Sequence, residues 1–343
     1  MFLRKAVVLE LHMDTLTTLF RSPEFYPQWM DFENNVLHFV RMSRESYQKS
    51  VFLDMRTQHL GEPLQKINLD EVLRASAGNG TRSPRVHYIL NTAFCCSTLL
   101  ARYFELFPDC FVLKEPSLLS QLALVERGSH SRWEEVFDVC LKLLSRTYLE
   151  SERAVIKVHE ACNVFGDRLL QDPEITITFL STPVRRFVLS TLKVADRREW
   201  VRRRVNEMTE RHEFAELFDG LDIAALNDAQ AACCMWMANR LISQRLSASD
   251  RVLVLNGDDV ATHPLETLTQ IAKAGGFAVS EQQLETIVRH PSFSRYSKNS
   301  SIAYDAASRQ QEMEQLERQW GDEAEAGIQW MQARKGHLVD GGV

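Results

Sequence analysis

The stretch Val86–Phe104, VHYILNTAFCCSTLLARYF, decides the fold class of this 343-residue chain. It begins with an apolar run of strand length, passes through a turn of small residues, and ends with apolar side chains at helical spacing. A helix that opens directly after such a turn presents unpaired backbone N–H groups, and its dipole favours a negative charge there. The stretch therefore predicts an anion-binding turn at the end of a strand.

Further apolar runs of strand length follow and alternate with helical segments. Strands are predicted at Val86–Leu90, Phe111–Leu113, Ala154–Val158, Ile175–Leu180 and Val252–Leu255. Helices are predicted at Ser97–Leu106, Trp133–Leu149, Ala229–Leu246 and Leu265–Ala274. This alternation predicts an α/β fold, with a mostly parallel sheet covered by helices on both faces. Ligands of such sheets bind after the carboxyl ends of the strands, so the residues at those positions are the candidates for a site.

The N-terminal part of the chain lacks the alternation. Val36–Arg41 and Val51–Met55 have the character of short strands or of strand–helix pieces, and Ala77–Pro84 has the Gly, Ser, Thr and Asn content of a linker. We therefore expect a small N-terminal appendage of unknown role at 1–80 and the main domain, with C-terminal helices, at 81–343. The helices after the main sheet include an acidic amphipathic one over 303–333.

Composition excludes several classes of protein. Hydrophobic residues make up 45% and charged residues 25% of the chain, as in globular proteins. The net charge of −6 argues against a general nucleic-acid binder. Seven cysteines without zinc-ligand spacing suggest a reducing compartment and no metal. Met1–Leu11 lacks the features of a signal peptide, and no run reaches the ~20 apolar residues of a membrane helix. We expect a cytoplasmic protein without a membrane span; its oligomeric state stays open.

The turn after the first of these strands has two interpretations. Ser97 and Thr98 open an apolar helix, so their hydroxyl groups have the position to bind an anion. Alternatively, Ser97 caps the helix, as serine commonly does. The glycine-rich Walker pattern with its lysine is absent, which argues against an ordinary nucleoside triphosphatase loop.

The turn resembles the 5′-phosphosulfate loop of the sulfotransferases that use 3′-phosphoadenosine 5′-phosphosulfate (PAPS). In that family a basic residue, a Ser–Gly pair and two hydroxyl residues precede an apolar helix. Ser97-Thr98-Leu99-Leu100 matches this pattern, whereas Phe94 replaces the basic residue and Cys95-Cys96 replace Ser–Gly. The resemblance implies a P-loop-like fold with PAPS as co-substrate, no metal, and a nucleotide-binding loop composed of Phe94, Cys95, Cys96, Ser97 and Thr98.

Two later blocks resemble the family at the ends of strands. Lys114-Glu115-Pro116 looks like its Glu-Pro turn, with Pro116 expected as the first helical residue. Lys157-Val-His-Glu160 places His159 beside a carboxylate, which is a simple general-base arrangement. Glu115, His159 and Glu160 are therefore candidate bases, and Lys114 or Lys157 can supply the charge that Phe94 lacks. A partly buried histidine with a satisfied hydrogen bond is the competing interpretation of His159.

A third block, Ser181–Ser190, resembles the family's 3′-phosphate segment. Pro183 and Ser190 match it in kind, while Ser181 stands where the family has arginine. Arg185 or Arg186 can supply the missing guanidinium, since arginine suits bidentate phosphate recognition.

Two basic segments complete the list of candidates. Arg295 and Lys298 lie in a turn-rich segment that in relatives folds over the nucleotide, although an exposed loop explains them equally. Six arginines in Arg197–Arg211 form a lid, a surface for an acidic partner or, as expected of charge-rich helices, a solvated face.

Three hypotheses for the function follow. The first is an enzyme that transfers sulfonate from PAPS to a hydroxyl or amine of a small-molecule or conjugate acceptor. The second is a catalytically degenerate member that binds a nucleotide or partner, for which Phe94 and Cys96 are the best indication. The third, another P-loop phosphotransferase, is disfavoured by the absent Gly-Lys pair.

Overall fold

A computed structural model describes residues 13–54, 62–78, 85–125, 130–294, 306–335 and 338. The segment Met1–Leu11 and positions 79–84 of the expected linker lie outside these ranges, and so do the candidate phosphate contacts Arg295 and Lys298.

An antiparallel three-stranded sheet precedes the main sheet. Its strands are β1 (Phe25–Asp31), β2 (Val36–Arg41) and β3 (Glu62–Asn68), in the order β1-β2-β3. The predicted strand at Val36–Arg41 is confirmed, but the one at Val51–Met55 is wrong over its described residues. There Leu53 donates its N–H to the carbonyl oxygen of Lys114 at 2.6 Å and accepts from the N–H of Ser117 at 3.1 Å. These bonds hold the segment in an irregular conformation instead of a ladder.

The main sheet has five strands in the order β5-β6-β4-β7-β8. They are β4 (Val86–Asn91), β5 (Cys110–Lys114), β6 (Arg153–Lys157), β7 (Ile175–Ser181) and β8 (Val252–Asn256). The pairs β4–β6, β5–β6 and β7–β8 are parallel. β4 and β7 also run parallel, because Val86 bonds to Glu174 and Thr92 to Leu180 in the same chain direction. β4 is the middle strand and all six of its residues are buried, so the predicted parallel α/β fold is confirmed.

Helices precede, connect and follow the strands. They are α1 (Met13–Arg21), α2 (Arg44–Lys49), α3 (Leu69–Gly78), α4 (Ser97–Phe104), α5 (Ser117–Leu124), α6 (Trp133–Leu144), α7 (Gly166–Leu169), α8 (Val184–Leu192), α9 (Ala195–Thr209), α10 (Ala215–Phe218), α11 (Asp228–Leu246), α12 (Asp259–Thr262), α13 (Pro264–Gly275), α14 (Glu281–Val288) and α15 (Ala306–Lys335). Short 3-10 helices lie at Glu160–Phe165, His212–Phe214, Ile223–Ala225 and Pro291–Ser294.

Helix ends differ from prediction in a few places. α4 ends at Phe104 and α6 at Leu144, earlier than the apolar periodicity indicates. Pro116 is the residue that precedes α5, not its first helical residue. α15 confirms the expected long acidic helix within 306–335. None of the helices in the described part of the chain is long and apolar enough to cross a membrane.

The chain divides into two compact units. The first comprises Met1–Ile89 and Ala101–Thr176, and the second comprises Leu90–Leu100 and Ile177–Val343. In the first unit α5 packs on β1 and α6, whereas in the second α8, α9, α11 and α15 pack on one another. An appendage that ends at residue 80 stays a prediction.

Arg146 fixes the beginning of the first unit. Its guanidinium is buried and donates to the carbonyl oxygens of Ser22 at 2.8 Å and Phe25 at 2.7 Å, and also to that of Leu19. Burial lowers the pKa of Arg146 to about 10. A buried cation held by several carbonyl dipoles ties the chain between α1 and β1 to the core.

His87 on β4 is a buried histidine whose protonation opposes folding. Its Nδ1 lies 2.8 Å from the hydroxyl oxygen of Thr176, and burial lowers its pKa to about 3. The unfolded chain binds a proton near pH 6.5, so stability falls as the pH drops below 6.5 and continues to fall down to about pH 3.

We predict that replacing His87 flattens the acid side of the stability profile. Between pH 7.5 and 5 this residue should cost the wild type about 2 kcal/mol of unfolding free energy. His87→Asn should be less stable than the wild type at pH 7.5. Between pH 7.5 and 5, however, its unfolding free energy should fall by about 2 kcal/mol less than that of the wild type, as measured by urea unfolding at both pH values. His212→Asn, at a histidine whose side chain is 97% exposed, is the control and should keep the wild-type slope. An unchanged slope in His87→Asn would contradict the assignment.

Candidate functional site

The turn after β4 has an unusual backbone. Ala93, Phe94 and Cys96 have φ values of 66°, 54° and 60°, in the left-handed region that non-glycine residues avoid. Each such residue costs roughly 1–2 kcal/mol. Asn91 supports the turn, because its Oδ1 accepts the N–H of Ala93 at 3.1 Å. Cys96 thus has a left-handed conformation, which glycine adopts at least cost, at the position where the sulfotransferase motif has glycine.

The start of α4 carries two buried residues with hydroxyl groups. Ser97 and Thr98 are 6% and 5% exposed. The carbonyl oxygen of Cys96 accepts the N–H of Leu100 at 3.0 Å, which is the first backbone hydrogen bond of the helix. Within the described ranges neither hydroxyl makes a hydrogen bond with protein, so the expected capping bond of Ser97 is not formed. Neither oxygen is among the fully buried side-chain atoms without a partner, so both hydroxyl groups keep some accessible surface, which favours the interpretation as a ligand contact.

Phe94 lies in an aromatic cluster. Its ring centroid is 5.6 Å from that of Phe187 on α8 and 5.8 Å from that of Trp200 on α9. The guanidinium carbon of Arg197 stands 4.5 Å from the Phe94 centroid. Phe94 therefore anchors the turn by packing, and a cation lies directly beside the position where the family has a basic residue.

Gly257, directly after β8, allows a close approach to the turn. A Cβ at this position would lie 2.2 Å from the carbonyl oxygen of Cys95 and 2.7 Å from its Cβ. The N–H of Gly257 donates to the carbonyl oxygen of Ser181 at 2.7 Å, which fixes the glycine in place. The sequence reveals a turn here but not this packing, because the two segments are distant along the chain.

The candidate 3′-phosphate residues lie on α8. Arg186 donates to Asp258 at 2.7 Å, and Arg309 of α15 donates to the other oxygen of the same carboxylate at 2.6 Å. Arg185 pairs with Glu325 at 2.6 Å and with Glu317. Both candidate guanidinium groups therefore hold carboxylates, and a phosphate would have to compete for them. Ser190 is buried, with 7% of its surface exposed.

The thiol of Cys96 lies among these charges. Burial raises the pKa of Cys96 to about 11, an effect that Arg309 and Arg186 oppose. A pKa this high favours the neutral thiol at physiological pH.

In the first unit, the predicted catalytic residues form two ion pairs. Lys157 pairs with Glu115, whose φ of 56° is also left-handed and whose N–H donates to the carbonyl oxygen of Lys157 at 2.6 Å. Lys114 pairs with Glu105 and donates to the carbonyl oxygen of Gln48 at 3.2 Å. Lys157, Glu115 and Lys114 are buried, so these pairs are shielded from water.

His159 caps the 3-10 helix that begins at Glu160. Its Nδ1 accepts the N–H of Ala161 at 3.3 Å and lies 3.9 Å from Oε1 of Glu160. An acceptor role for Nδ1 favours the neutral tautomer with the proton on Nε2. In that tautomer Nε2 is a donor, so a general-base role requires His159 to give up its capping bond.

The arginines of α9 differ from the expected solvated face. Arg204 is buried and pairs with Glu207, and Arg198 and Arg202 both pair with Asp228. Arg203 is exposed, as predicted for the whole segment. The sequence did not reveal this burial, because Asp228 is distant from Arg198 and Arg202 along the chain and the (i, i+3) pair of Arg204 with Glu207 fits an exposed helix equally well. No group of three or more potential metal ligands occurs among the residues that the structure describes.

We predict that Gly257→Ala disturbs the turn. Because the added methyl group meets backbone atoms, it should cost about 1–3 kcal/mol of unfolding free energy, measured by urea denaturation. Gly321→Ala on α15 is the control, since Gly321 has no positive φ and a Cβ there would first meet the ends of the Glu317 and Arg185 side chains, which can move. A Gly257 variant no less stable than the Gly321 variant would contradict the close approach.

Comparison with known proteins finds similarity in structure. No protein-family model matches the chain, and no curated protein matches it in sequence. A sulfotransferase domain from the curacin biosynthetic pathway is 13% identical, with a TM-score of 0.40, covering 70% of this chain and 92% of that one. Sulfotransferase STF1 from Mycobacterium tuberculosis is 14% identical, with a TM-score of 0.40 and coverage of 72% and 84%.

Mouse sulfotransferase SULT7A1, solved as a complex with PAP, is 14% identical, with a TM-score of 0.34 and coverage of 63% and 68%. All three of these solved structures are sulfotransferases. The reaction and the substrate are argued from the residues of this chain alone.

Proposed function

We propose that this chain binds PAPS and transfers its sulfonate group to a hydroxyl or amine acceptor. The observation that carries the proposal is the turn at Ala93–Cys96, with three left-handed non-glycine residues leading into Ser97 and Thr98, two buried residues whose hydroxyl groups make no hydrogen bond with protein within the described ranges. Backbone in this conformation forms anion-binding concavities, and strain of this kind concentrates at functional sites.

The nucleotide would be held mainly by the second unit. Backbone N–H groups at the start of α4 and the hydroxyls of Ser97 and Thr98 would bind the 5′-phosphate, aided by the helix dipole. Arg186 and Ser190 are the proposed contacts of the 3′-phosphate. Arg186 shares Asp258 with Arg309, so this carboxylate already faces two guanidinium groups and Arg186 can be released to a phosphate.

Transfer would form a bond from the acceptor oxygen or nitrogen to sulfur and break the bond from sulfur to the bridging phosphate oxygen. The acceptor proton has to pass to a base, for which Glu115, His159 and Glu160 are the proposed candidates. The leaving phosphate gains charge, which a lysine can stabilise. Lys157 is our first choice because it is buried with Glu115, and Lys114 is the second.

The alternative function is binding without turnover, and one observation favours it. Phe94 packs into an aromatic cluster, and both candidate lysines already pair with carboxylates. Such a protein would bind the nucleotide or a partner but lack a free cation for catalysis. We propose the cytoplasm as its compartment in either case, since all seven cysteines are free thiols.

The first test is calorimetric titration with 3′,5′-adenosine bisphosphate and, separately, ATP. We expect the bisphosphate to bind, and Thr98→Val to weaken it about tenfold because a hydrogen bond to a charged group is lost. Thr269→Val, at an exposed threonine of α13, is the control. Transfer from PAPS to an acceptor panel is then measured for the double variant Glu115→Gln/Lys157→Met, which removes both buried charges together. It should lose about a hundredfold or more in turnover while still binding the bisphosphate.

Each outcome decides a separate part of the proposal. Binding of neither nucleotide would overturn the nucleotide site, and tight binding of ATP would favour another phosphotransferase. Turnover retained in the double variant and in His159→Ala would remove the proposed catalytic roles. Bisphosphate binding without wild-type turnover on any acceptor would favour the degenerate alternative.

A further inference from the structure

We propose that Arg197 supplies the positive charge that the turn after β4 lacks, and that its guanidinium binds the 5′-phosphate end of the nucleotide. This inference rests on the proposed function and adds a residue that the motifs did not identify. Phe94 stands where the sulfotransferase motif has a basic residue, and Arg197 of α9 is a cation that lies against the Phe94 ring, in addition to the proposed lysines.

The position of Arg197 is fixed by contacts within the second unit. Its guanidinium carbon stands 4.5 Å from the centroid of the Phe94 ring, within the range of a cation–π interaction. One of its terminal nitrogens donates to the carbonyl oxygen of Ser190 at 2.8 Å. Trp200, one turn further along α9, also contacts the Phe94 ring. Arg197 is therefore held against the turn by a carbonyl group and an aromatic ring.

The charge of Arg197 is not neutralised by the protein around it. The other partly or fully buried arginines of α8 and α9 pair with carboxylates, namely Arg185 with Glu317, Arg186 with Asp258, Arg198 and Arg202 with Asp228, and Arg204 with Glu207. Within the described ranges Arg197 has no carboxylate within ion-pair distance. A carbonyl group and an aromatic face orient a guanidinium without cancelling its charge.

These observations combine into a binding arrangement. A guanidinium has five N–H donors, and the bond to Ser190 uses one nitrogen, so donors stay available for an anion. The adjacent turn has the left-handed backbone and the hydroxyl groups of two buried residues that suit a phosphate. A neighbouring unneutralised arginine adds the charge that Lys or Arg would supply from the position of Phe94.

The experiment compares variants of the full chain in titrations with 3′,5′-adenosine bisphosphate and with adenosine 3′-phosphate, which lacks the 5′-phosphate. Arg197→Gln should weaken bisphosphate binding about tenfold or more, and adenosine 3′-phosphate binding less than about twofold. Arg203→Gln removes the same charge from an exposed position of α9 and should leave both affinities within about twofold of the wild type. Arg197→Lys, which keeps the charge, should bind the bisphosphate within about threefold of the wild type.

The possible failures differ from one another. If Arg197→Gln binds the bisphosphate as Arg203→Gln does, the inference is wrong while the proposed function stands. An equal loss for both nucleotides would also overturn it, because Arg197 would then act on the fold or elsewhere on the ligand. If Arg197→Gln does not fold, Arg197→Lys decides the question. A loss of tenfold or more in its affinity for the bisphosphate would show that positive charge at this position is not what binds the ligand. A wild type that binds neither nucleotide overturns both the proposed function and this inference.

Discussion

The left-handed backbone of the turn after β4 is the constraint on which the rest of the site depends. Three non-glycine residues in this conformation cost a few kcal/mol in sum, so surrounding contacts have to compensate. The Asn91 side chain holds Ala93, the rings of Phe187 and Trp200 hold Phe94, and Gly257 leaves room for Cys95. This costly turn, kept in place at the end of the middle strand, is the basis of the proposed nucleotide site.

The charges around the turn follow a consistent pattern. Guanidinium and ammonium groups near the turn mostly face carboxylates, several of them on α15, as in the pairs of Arg185 with Glu317 and Lys193 with Glu312. Pairing holds these cations in place at little cost before a ligand arrives. A phosphate that binds Arg186 would replace its Asp258 partner, whereas Arg197 has no carboxylate within ion-pair distance in the described ranges. Such an exchange of partners suits binding that must be reversible.

Much of the fold could be predicted from the sequence. The five strands of the main sheet are continuous apolar runs, and such runs bounded by turns are recognisable without structure. β3 was not predicted because Pro63 and polar residues interrupt its pattern, which is tolerated since β3 lies at a sheet edge. At Val51–Met55 the sequence has the apolar run of a strand, but the described residues of this segment form an irregular segment instead.

The candidate site was less predictable than the fold. Positions at strand ends could be identified from motifs, but the partners of Arg186, Lys157 and Lys114 depend on contacts between residues that the sequence does not pair. The close approach of Gly257 to Cys95 leaves no local signal either. The position of Arg197 could not be predicted, because it lies in a charge-rich segment. Sequence pattern alone does not distinguish a solvated arginine from one that packs against an aromatic ring.

The central claim is that backbone N–H groups of this turn hold the phosphate, and amide hydrogen exchange tests it most directly. Exchange in peptides covering 91–100 is measured with and without saturating 3′,5′-adenosine bisphosphate. Our account predicts that the ligand slows exchange of the amides from Phe94 to Thr98, because they become hydrogen-bond donors to phosphate. Bisphosphate binding that leaves these amides unchanged, and protects another part of the chain instead, would contradict it.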